Sequence, residues 1–198
     1  MAQHENPIRH TCDMQKGLDE DADQKKEGVP MPIAGIDQPH MIPIGDDLRL
    51  RKYDGIHDFA YSWYQDPDTL WMVSADRTPY PEEQTDRMYA YLNDHGELYF
   101  IEIIQNGVFI PVGDVAFWND DMPIVIGLPE YRGKGIGKRV VQALIDRGRS
   151  LGFSKISGGE IYDWNTPSRT LFTSLGFVPC EKTEHGFRYE LDLTTTEV

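Results

Sequence analysis

Cysteine is nearly absent, with Cys12 and Cys180 the only two in 198 residues. They stand far apart in segments of different texture, which excludes a disulfide framework and leaves both as expected free thiols. Long apolar runs are missing too. No stretch approaches the roughly 20 residues a membrane-spanning helix requires, and residues 1–20, polar and charged, lack an apolar centre of the secretory kind. The expected setting is cytoplasmic, with no membrane partner. Positive charge is scarce as well: 19 Lys and Arg face 33 Asp and Glu, a formal charge of −14. A nucleic-acid partner is disfavoured, because meeting many phosphates needs a basic surface. A cationic small substrate suits that balance better, although acidity of this order also serves plain solubility.

What is present is an ordinary globular composition, 39% hydrophobic and 11% aromatic, enough for one full α/β core. Residues 1–40 hold four prolines and a charged run at 19–27, and are expected to form a polar, flexible N-terminal extension. The domain is expected to fill residues 41–198. His4, His10 and Cys12 lie in the extension without a partner pair at zinc-ligand spacing, so no metal is expected.

Alternation from Asp47 predicts a strand at Leu48, Leu50 and Lys52. Residues 55–64 read as a helix with Ile56, Phe59, Ala60 and Trp63 on one face. A second helix is predicted over 81–92, opened by Pro81 and the acids Glu82 and Glu83, with Gly96 beyond its end. Residues 97–105 and 108–118 flank Asn106-Gly107, a strong hairpin signal. A short strand at 123–126 leads through Gly127 into a glycine-rich stretch. After it, Ile136, Val140, Val141, Leu144, Ile145 and Gly148 mark one face of the clearest helix in the chain. A strand at 154–161, a short helix at 167–175 and a final hairpin turning at His185-Gly186 complete the order.

The most informative stretch is Arg132-Gly133-Lys134-Gly135-Ile136-Gly137. Glycine lets backbone N–H groups approach and converge on an anion, and the following helix adds its positive end. The neighbourhood is the one basic locality of an acidic chain: residues 132–149 hold Arg132, Lys134, Lys138, Arg139, Arg147 and Arg149 against Asp146 alone. A dinucleotide loop would need G-x-G-x-x-G after an early parallel unit, whereas the spacing is G-x-G-x-G after an antiparallel hairpin. A nucleotide-hydrolase phosphate loop would need Lys-Ser/Thr, and Gly135 stands where the hydroxyl should be. A glycine-rich helix entry without a ligand is the plain alternative.

The segment Tyr131–Gly137 resembles the Arg/Gln-x-x-Gly-x-Gly/Ala signature of GCN5-related (GNAT) N-acetyltransferases. Asn165, Ser168, Leu171-Phe172 and Leu175-Gly176-Phe177 resemble that family's C-terminal Asn-x-x-Ser/Ala-x-x-Leu-Tyr/Phe-x-x-Leu-Gly-Phe segment. The likeness covers roughly residues 47–193. It implies an α/β (α+β) fold: a mixed, mostly antiparallel sheet of six to seven strands with helices on both faces. Acetyl-CoA is the implied co-substrate, held in a V-shaped opening between strands 123–126 and 154–161. By the resemblance, the backbone amides of Arg132, Gly133, Lys134, Gly135, Ile136 and Gly137 meet the pyrophosphate. Ile124, Val125 and Ile126 pair with the pantetheine arm, Asn165 reaches the cofactor through its amide, and Lys138, Arg139 and Arg169 meet the remaining phosphates. Asn165 is equally a helix-start residue before Thr166-Pro167, and the two roles are compatible.

The implied reaction is direct acetyl transfer to an amine, with no nucleophilic residue. Holding an alkylamine of pKa ~10.4 as its free base at pH 7 costs about 4.6 kcal/mol, so a proton acceptor helps. Asp120, Asp121 and Glu160 are the candidates. Phe172 stands where the family often has a tyrosine whose hydroxyl protonates the leaving thiolate. Tyr162 or Tyr131 can serve instead, or coenzyme A leaves as thiolate. Acceptor selection is assigned to residues 55–96, with Trp63, Asp66 and Trp71 suited to a cation by ring face and charge. Core packing explains those aromatics equally well. The resemblance points toward ribosomal-protein N-terminal, polyamine and aminoglycoside acetyltransferases, and homodimers are common among them. A noncatalytic acyl-CoA-binding regulatory module is the competing reading, motivated by Phe172.

Overall fold

The computed structural model describes residue 33 and residues 35–194. His4, His10, Cys12 and most of the expected N-terminal extension lie outside the described residues. Eight strands form two antiparallel sheets. The first runs β1 (Met41–Pro43), β2 (Leu48–Lys52), β3 (Glu97–Gln105), β4 (Val108–Phe117) and β5 (Ile124–Ile126), paired in that order. The second orders β6 (Lys155–Tyr162), β8 (Gly186–Asp192) and β7 (Val178–Lys182), with β8 in the middle. The expected mixed α/β fold of mostly antiparallel strands and helices is present; the described strands number eight rather than six or seven, and the expected V-shaped opening falls between β5 and β6, each of which edges its own sheet.

Local chemistry accounts for most elements. Asn106 and Gly107 both adopt positive φ, 52° and 81°, the geometry a two-residue hairpin turn demands between β3 and β4. Among the described residues there are four α-helices: α1 (Pro67–Ser74), α2 (Glu82–His95), α3 (Ile136–Ser150) and α4 (Thr166–Thr173). The helix expected over 55–64 is instead a 3-10 segment, Asp58–Gln65, that buries Ala60, Trp63 and Tyr64. Ile56 and Phe59, expected on its buried face, are 62% and 37% exposed: Ile56 lies before the segment begins, and Phe59 is turned partly outward by the tighter winding. Helix α1 was not foreseen. It opens with Asp66 as N-cap and Pro67 in its first turn, and is too short to show a period.

Helices cover both faces of the first sheet. Leu48, Leu50, Tyr99, Ile101, Val115 and Phe117 pack against Val140, Val141, Leu144 and Ile145 of α3, in a core shared with Ile156, Ile161 and Phe172. On the opposite face Leu98, Phe100 and Ala116 meet Trp63, Tyr64, Leu70, Met88, Tyr89 and Leu92. Two buried carboxylates are clamped by arginines. Glu97 receives Arg147 at 2.6 Å, tying α3 to β3, and Glu102 receives Arg49 at 2.7 Å and Arg51 at 2.6 Å across the β2–β3 ladder. Contacts begin upstream of β1: the Gln38 side chain is buried and donates from Nε2 to the Leu98 carbonyl at 2.9 Å.

Candidate active site

The glycine stretch enters α3 by way of a 3-10 turn, Pro129–Tyr131. Gly133 and Gly135 take φ of 70° and 77°, and Gly135 caps the helix. A Cβ at either would meet no protein atom within 4 Å, so both glycines face open space. The first backbone bond into the helix runs from Arg139 N to Gly135 O, which leaves the amides of Ile136, Gly137 and Lys138 as orphan donors of the first turn. Orphan amides, an open glycine face and a helix N-terminus fit a pyrophosphate. The Ile136 side chain is core, so its part is played by its backbone. Lys134 is exposed, with Nζ 5.2 Å from the Tyr131 ring, and Lys138 is exposed beside it.

Arg132 differs from expectation. Its guanidinium turns inward, donating from Nε to Ile126 O at 2.9 Å and from Nη2 to Gly127 O at 2.9 Å and Thr69 Oγ1 at 2.7 Å. Nη1 reaches Asp66 Oδ2 at 3.1 Å. That fork fixes the end of β5 to the start of α1, and the Arg132 amide itself donates to Pro129 O at 3.1 Å, so against expectation neither the side chain nor the N–H of Arg132 is offered to a phosphate. Arg169 likewise folds back, onto Asp163 O at 3.1 Å. Arg139 is held by Asp47 and by Ile44 O.

One edge of β5 pairs with β4: Ile124 opposes Val115, Val125 opposes Asp114 and Ile126 opposes Gly113. The other edge faces β6 across the division between the sheets. A cavity of about 160 Å³ opens there, lined by Ile124 and Val125 on one side and by Gly158, Glu160 and Tyr162 on the other. Met72 and Val73 of α1, with Tyr80, close a third side.

Of the expected catalytic residues, Asp121, Glu160 and Tyr162 line this cavity. Asp121 Oδ1 accepts from Met122 N at 2.8 Å, and the carboxylate lies against Gly159, whose φ of 74° and missing side chain admit it. Glu160 stands on β6 in register with Arg188 of β8. Burial, then the neighbouring Glu160 charge and Tyr80, push the Tyr162 phenol up to about 12, so it keeps its proton. Asp120 is exposed and off the cavity, accepting from its neighbour Asn119 at 3.0 Å. Tyr131 also lies off the cavity, bonded to Gln105 at 3.0 Å. Phe172 is in the wall, its ring edge-on to Phe177 at 5.0 Å.

Trp63, Asp66 and Trp71 are not in the cavity wall. Trp63 is 2% exposed and packs on the Gly127 backbone. Burial alone would raise the Asp66 carboxyl, but bonds from Thr69, the Asp68 amide and Arg132 hold it below its ordinary value as an N-cap. Trp71 stacks on Trp164 at 4.8 Å, and Trp164 stacks in turn on Tyr162 at 4.9 Å. Asn165 has both ends of its amide engaged. Oδ1 caps α4 through Ser168 N at 3.1 Å, and Nδ2 donates to Met72 O at 3.0 Å, closing the end of α1. The helix-start role is the one the structure displays.

Sequence reasoning missed Asp114. It is 3% exposed on β4, lines the cavity, and accepts from Tyr64 at 2.9 Å and from Tyr89 at 2.6 Å. Burial pushes its carboxyl up to about 6, although both phenols favour the charged form. The signal was there: one acid among Val112, Gly113, Val115, Ala116 and Phe117, in a strand otherwise fit for a core.

Comparisons agree with this geometry. The family described as Acetyltransferase (GNAT) family matches residues 58–177. An N-acetyltransferase 9-like protein of Nematostella vectensis is 28% identical over 158 residues, covering 71% of this chain and 79% of its own. An acetyltransferase of the GNAT family from Bacillus anthracis superposes with a TM-score of 0.62 at 19% identity, covering 76% of this chain and 97% of that one. YncA of Salmonella typhimurium, solved with its cofactor acetyl-CoA, gives 0.55 at 18% identity, with 77% and 98% covered.

Proposed function

The chain belongs to the GNAT acetyltransferase family, and from that premise we propose that it acetylates a primary amine directly. The acceptor is a small cationic molecule of aminoglycoside or polyamine type, or a protein N-terminus. The observation that carries this reading is the divided sheet: a glycine cradle at one end of the β5–β6 gap and a carboxylate-lined cavity at the other. Acetyl-CoA is the co-substrate and supplies an activated acetyl thioester. Amides of residues 133–138 hold its pyrophosphate, and the unpaired edge of β5 offers N–H and C=O groups to its extended arm. Backbone near Val125 is placed to polarise a carbonyl.

The acceptor side favours a cation. Asp114, Asp121 and Glu160 line the cavity with Tyr64, Tyr80 and Tyr162, and its lining includes no lysine, arginine or histidine. Such a wall attracts an ammonium and repels an acceptor that carries its own carboxylate. Tyr162, protonated across the physiological range, is placed to give a proton to the departing thiolate in the absence of a hydroxyl at Phe172. The exposed free thiol of Cys180 supports a cytoplasmic setting. No helix among the described residues is long and apolar enough to cross a membrane.

Thiol release by the purified protein, given acetyl-CoA and a panel of polyamines, aminoglycosides and N-terminal peptides, tests the proposal. Release with at least one cationic amine is expected. Coenzyme binding without release against every amine would establish the noncatalytic module instead, and no coenzyme binding would defeat both.

A further inference from the structure

We infer that Asp114 is the proton acceptor of the reaction, aimed into the cavity by the Tyr64 and Tyr89 hydroxyls; this rests on the acetyl-transfer reading above.

The fold treats its buried carboxylates in two ways. Glu97 is 0% exposed, Glu102 is 4% and Asp114 is 3%. The first two carry arginine partners, Arg147 for Glu97 and Arg49 with Arg51 for Glu102, and cross-link elements. An ion pair of that kind offsets the cost of taking a carboxylate out of water. Asp114 is held by two phenols, with Tyr64 at 3.1 and 2.9 Å and Tyr89 at 2.6 Å. Phenols bring hydrogen bonds without a counter-charge, so the carboxyl stays basic enough to take a proton near neutrality. A purely structural acid gains nothing from facing a cavity, whereas Asp114 lines the one between β5 and β6.

Its position suits the reaction. Asp114 sits opposite Val125 in the β4–β5 register, beside the backbone placed to polarise the thioester. Aromatic contacts fix the two phenols. Tyr64 stacks on Tyr80 at 5.9 Å, and Tyr89 stacks on Tyr53 at 5.6 Å with the His57 ring 4.6 Å away. Burial drives both phenols well above their ordinary range, so they stay protonated and act as donors throughout. The charged or titratable groups around Asp114 are these two phenols, Tyr80, Tyr162, Asp121 and Glu160. The two further carboxylates share the negative wall, one tied to the Met122 amide and one in register with Arg188.

One N–H proton of the acceptor ammonium passes to an Asp114 oxygen, directly or through one water, which frees the nitrogen lone pair. The C–N bond then forms as the C–S bond breaks. The second N–H proton leaves the nitrogen and the thiolate ends as thiol, with Tyr162 or water relaying the proton. Asp114 returns its own proton to solvent.

The test uses the full chain and an amine on which the wild type turns over, with thiol release followed from pH 5 to 9. Asp114→Asn is expected to lower kcat/KM for the amine by about 100-fold or more and to abolish the acid limb near pH 6, leaving the acetyl-CoA KM within about threefold. Tyr89→Phe removes a donor that favours the ionised carboxyl, so the acid limb is expected to move to higher pH. That variant carries the test if Asp114→Asn does not fold. Asp121→Asn and Glu160→Gln are expected to raise the amine KM while keeping the limb. Undiminished turnover in Asp114→Asn, or an unmoved limb in Tyr89→Phe, overturns the assignment while leaving acetyl transfer standing. Wild-type protein that releases no thiol with any amine overturns the parent reading and this one with it.

Discussion

Asn165 Nδ2 donates to the Met72 carbonyl at 3.0 Å, so a side chain at the start of α4 closes the end of α1 across the mouth of the cavity. Trp164 does the same one residue earlier, from Nε1 to Trp71 O at 3.0 Å. Together they satisfy two of the carbonyls that a helix end leaves open. The cavity wall carried by Met72 and Val73 is therefore held by the segment that follows β6. Asn165→Ser keeps a good N-cap for α4 but cannot span to Met72. The expected cost is about 1 kcal/mol, a fall of roughly 2–4 °C in Tm, with the acceptor KM rising several-fold and acetyl-CoA affinity unchanged. Calorimetric melting with steady-state kinetics checks it, and equal loss for both substrates would count against the strap.

Arg132 is a pin. Four partners share one planar fork: Ile126 O, Gly127 O, Thr69 Oγ1 and Asp66 Oδ2. Lysine cannot reproduce that fork, so Arg132→Lys and Arg132→Ala are both expected to destabilise the chain by about 2–3 kcal/mol in urea denaturation. A lysine variant as stable as the wild type would show that charge alone matters there.

Gly135 adopts φ 77° with open space beside it. Gly135→Ala therefore strains the backbone, by about 1 kcal/mol, and places a methyl where a phosphate oxygen would approach. Coenzyme A affinity is expected to fall at least tenfold by titration calorimetry, a larger effect than the loss of stability explains. Unaltered affinity would remove the cradle from the coenzyme site.

Tyr162 and Phe172 face the same cavity from β6 and α4. If Tyr162 protonates the leaving thiolate, Tyr162→Phe is expected to reduce kcat about tenfold or more. Phe172→Tyr, adding a hydroxyl to the same cavity from the helix packed on β6, is expected to recover part of that loss in the double variant. Rapid-quench measurement of acetyl transfer would decide, and a Tyr162→Phe enzyme of undiminished kcat would show that the thiolate departs unassisted.

Keeping Asp114 basic has a thermodynamic consequence. Its carboxyl titrates at about 6 in the fold against an ordinary 3.8, so the folded state binds that proton more tightly than the unfolded chain. The stabilisation from protonation is fully present below the unfolded value and is lost as pH rises through 6. Between pH 5 and pH 8 the wild type should lose roughly 1–1.5 kcal/mol relative to Asp114→Asn, which lacks the titration. Urea denaturation of both proteins at the two pH values measures the difference, and a pH-independent gap would place the folded carboxyl at its ordinary value.

Much of the fold was legible because its signals are local. The Asn106-Gly107 turn, the apolar face of α3 and the glycine entry at Gly133 and Gly135 each depend on residues within one or two turns of chain. Helix α1 has too few residues, eight, for a period to emerge; Phe59 departs from the expected face because a 3-10 winding does not keep an α-helical one, and Ile56 because the segment starts only at Asp58. The division between β5 and β6 was expected from the family resemblance and not from strand order, since hydrogen-bonded neighbours are settled by pairings distant in sequence.

The sequence by itself determined the family and the acetyl-CoA co-substrate through its two motifs, and the glycine entry into α3, because glycine conformations and helix starts are set by adjacent residues. Tertiary structure decided which side chains do what. It turned Arg132 and Asp66 toward each other, sealed α1 with Asn165 and Trp164, and buried Trp63. It also brought Tyr64 and Tyr89, 50 and 25 residues away, onto Asp114. A charge takes its role from its partners and its distance from water, and both are properties of the folded chain alone.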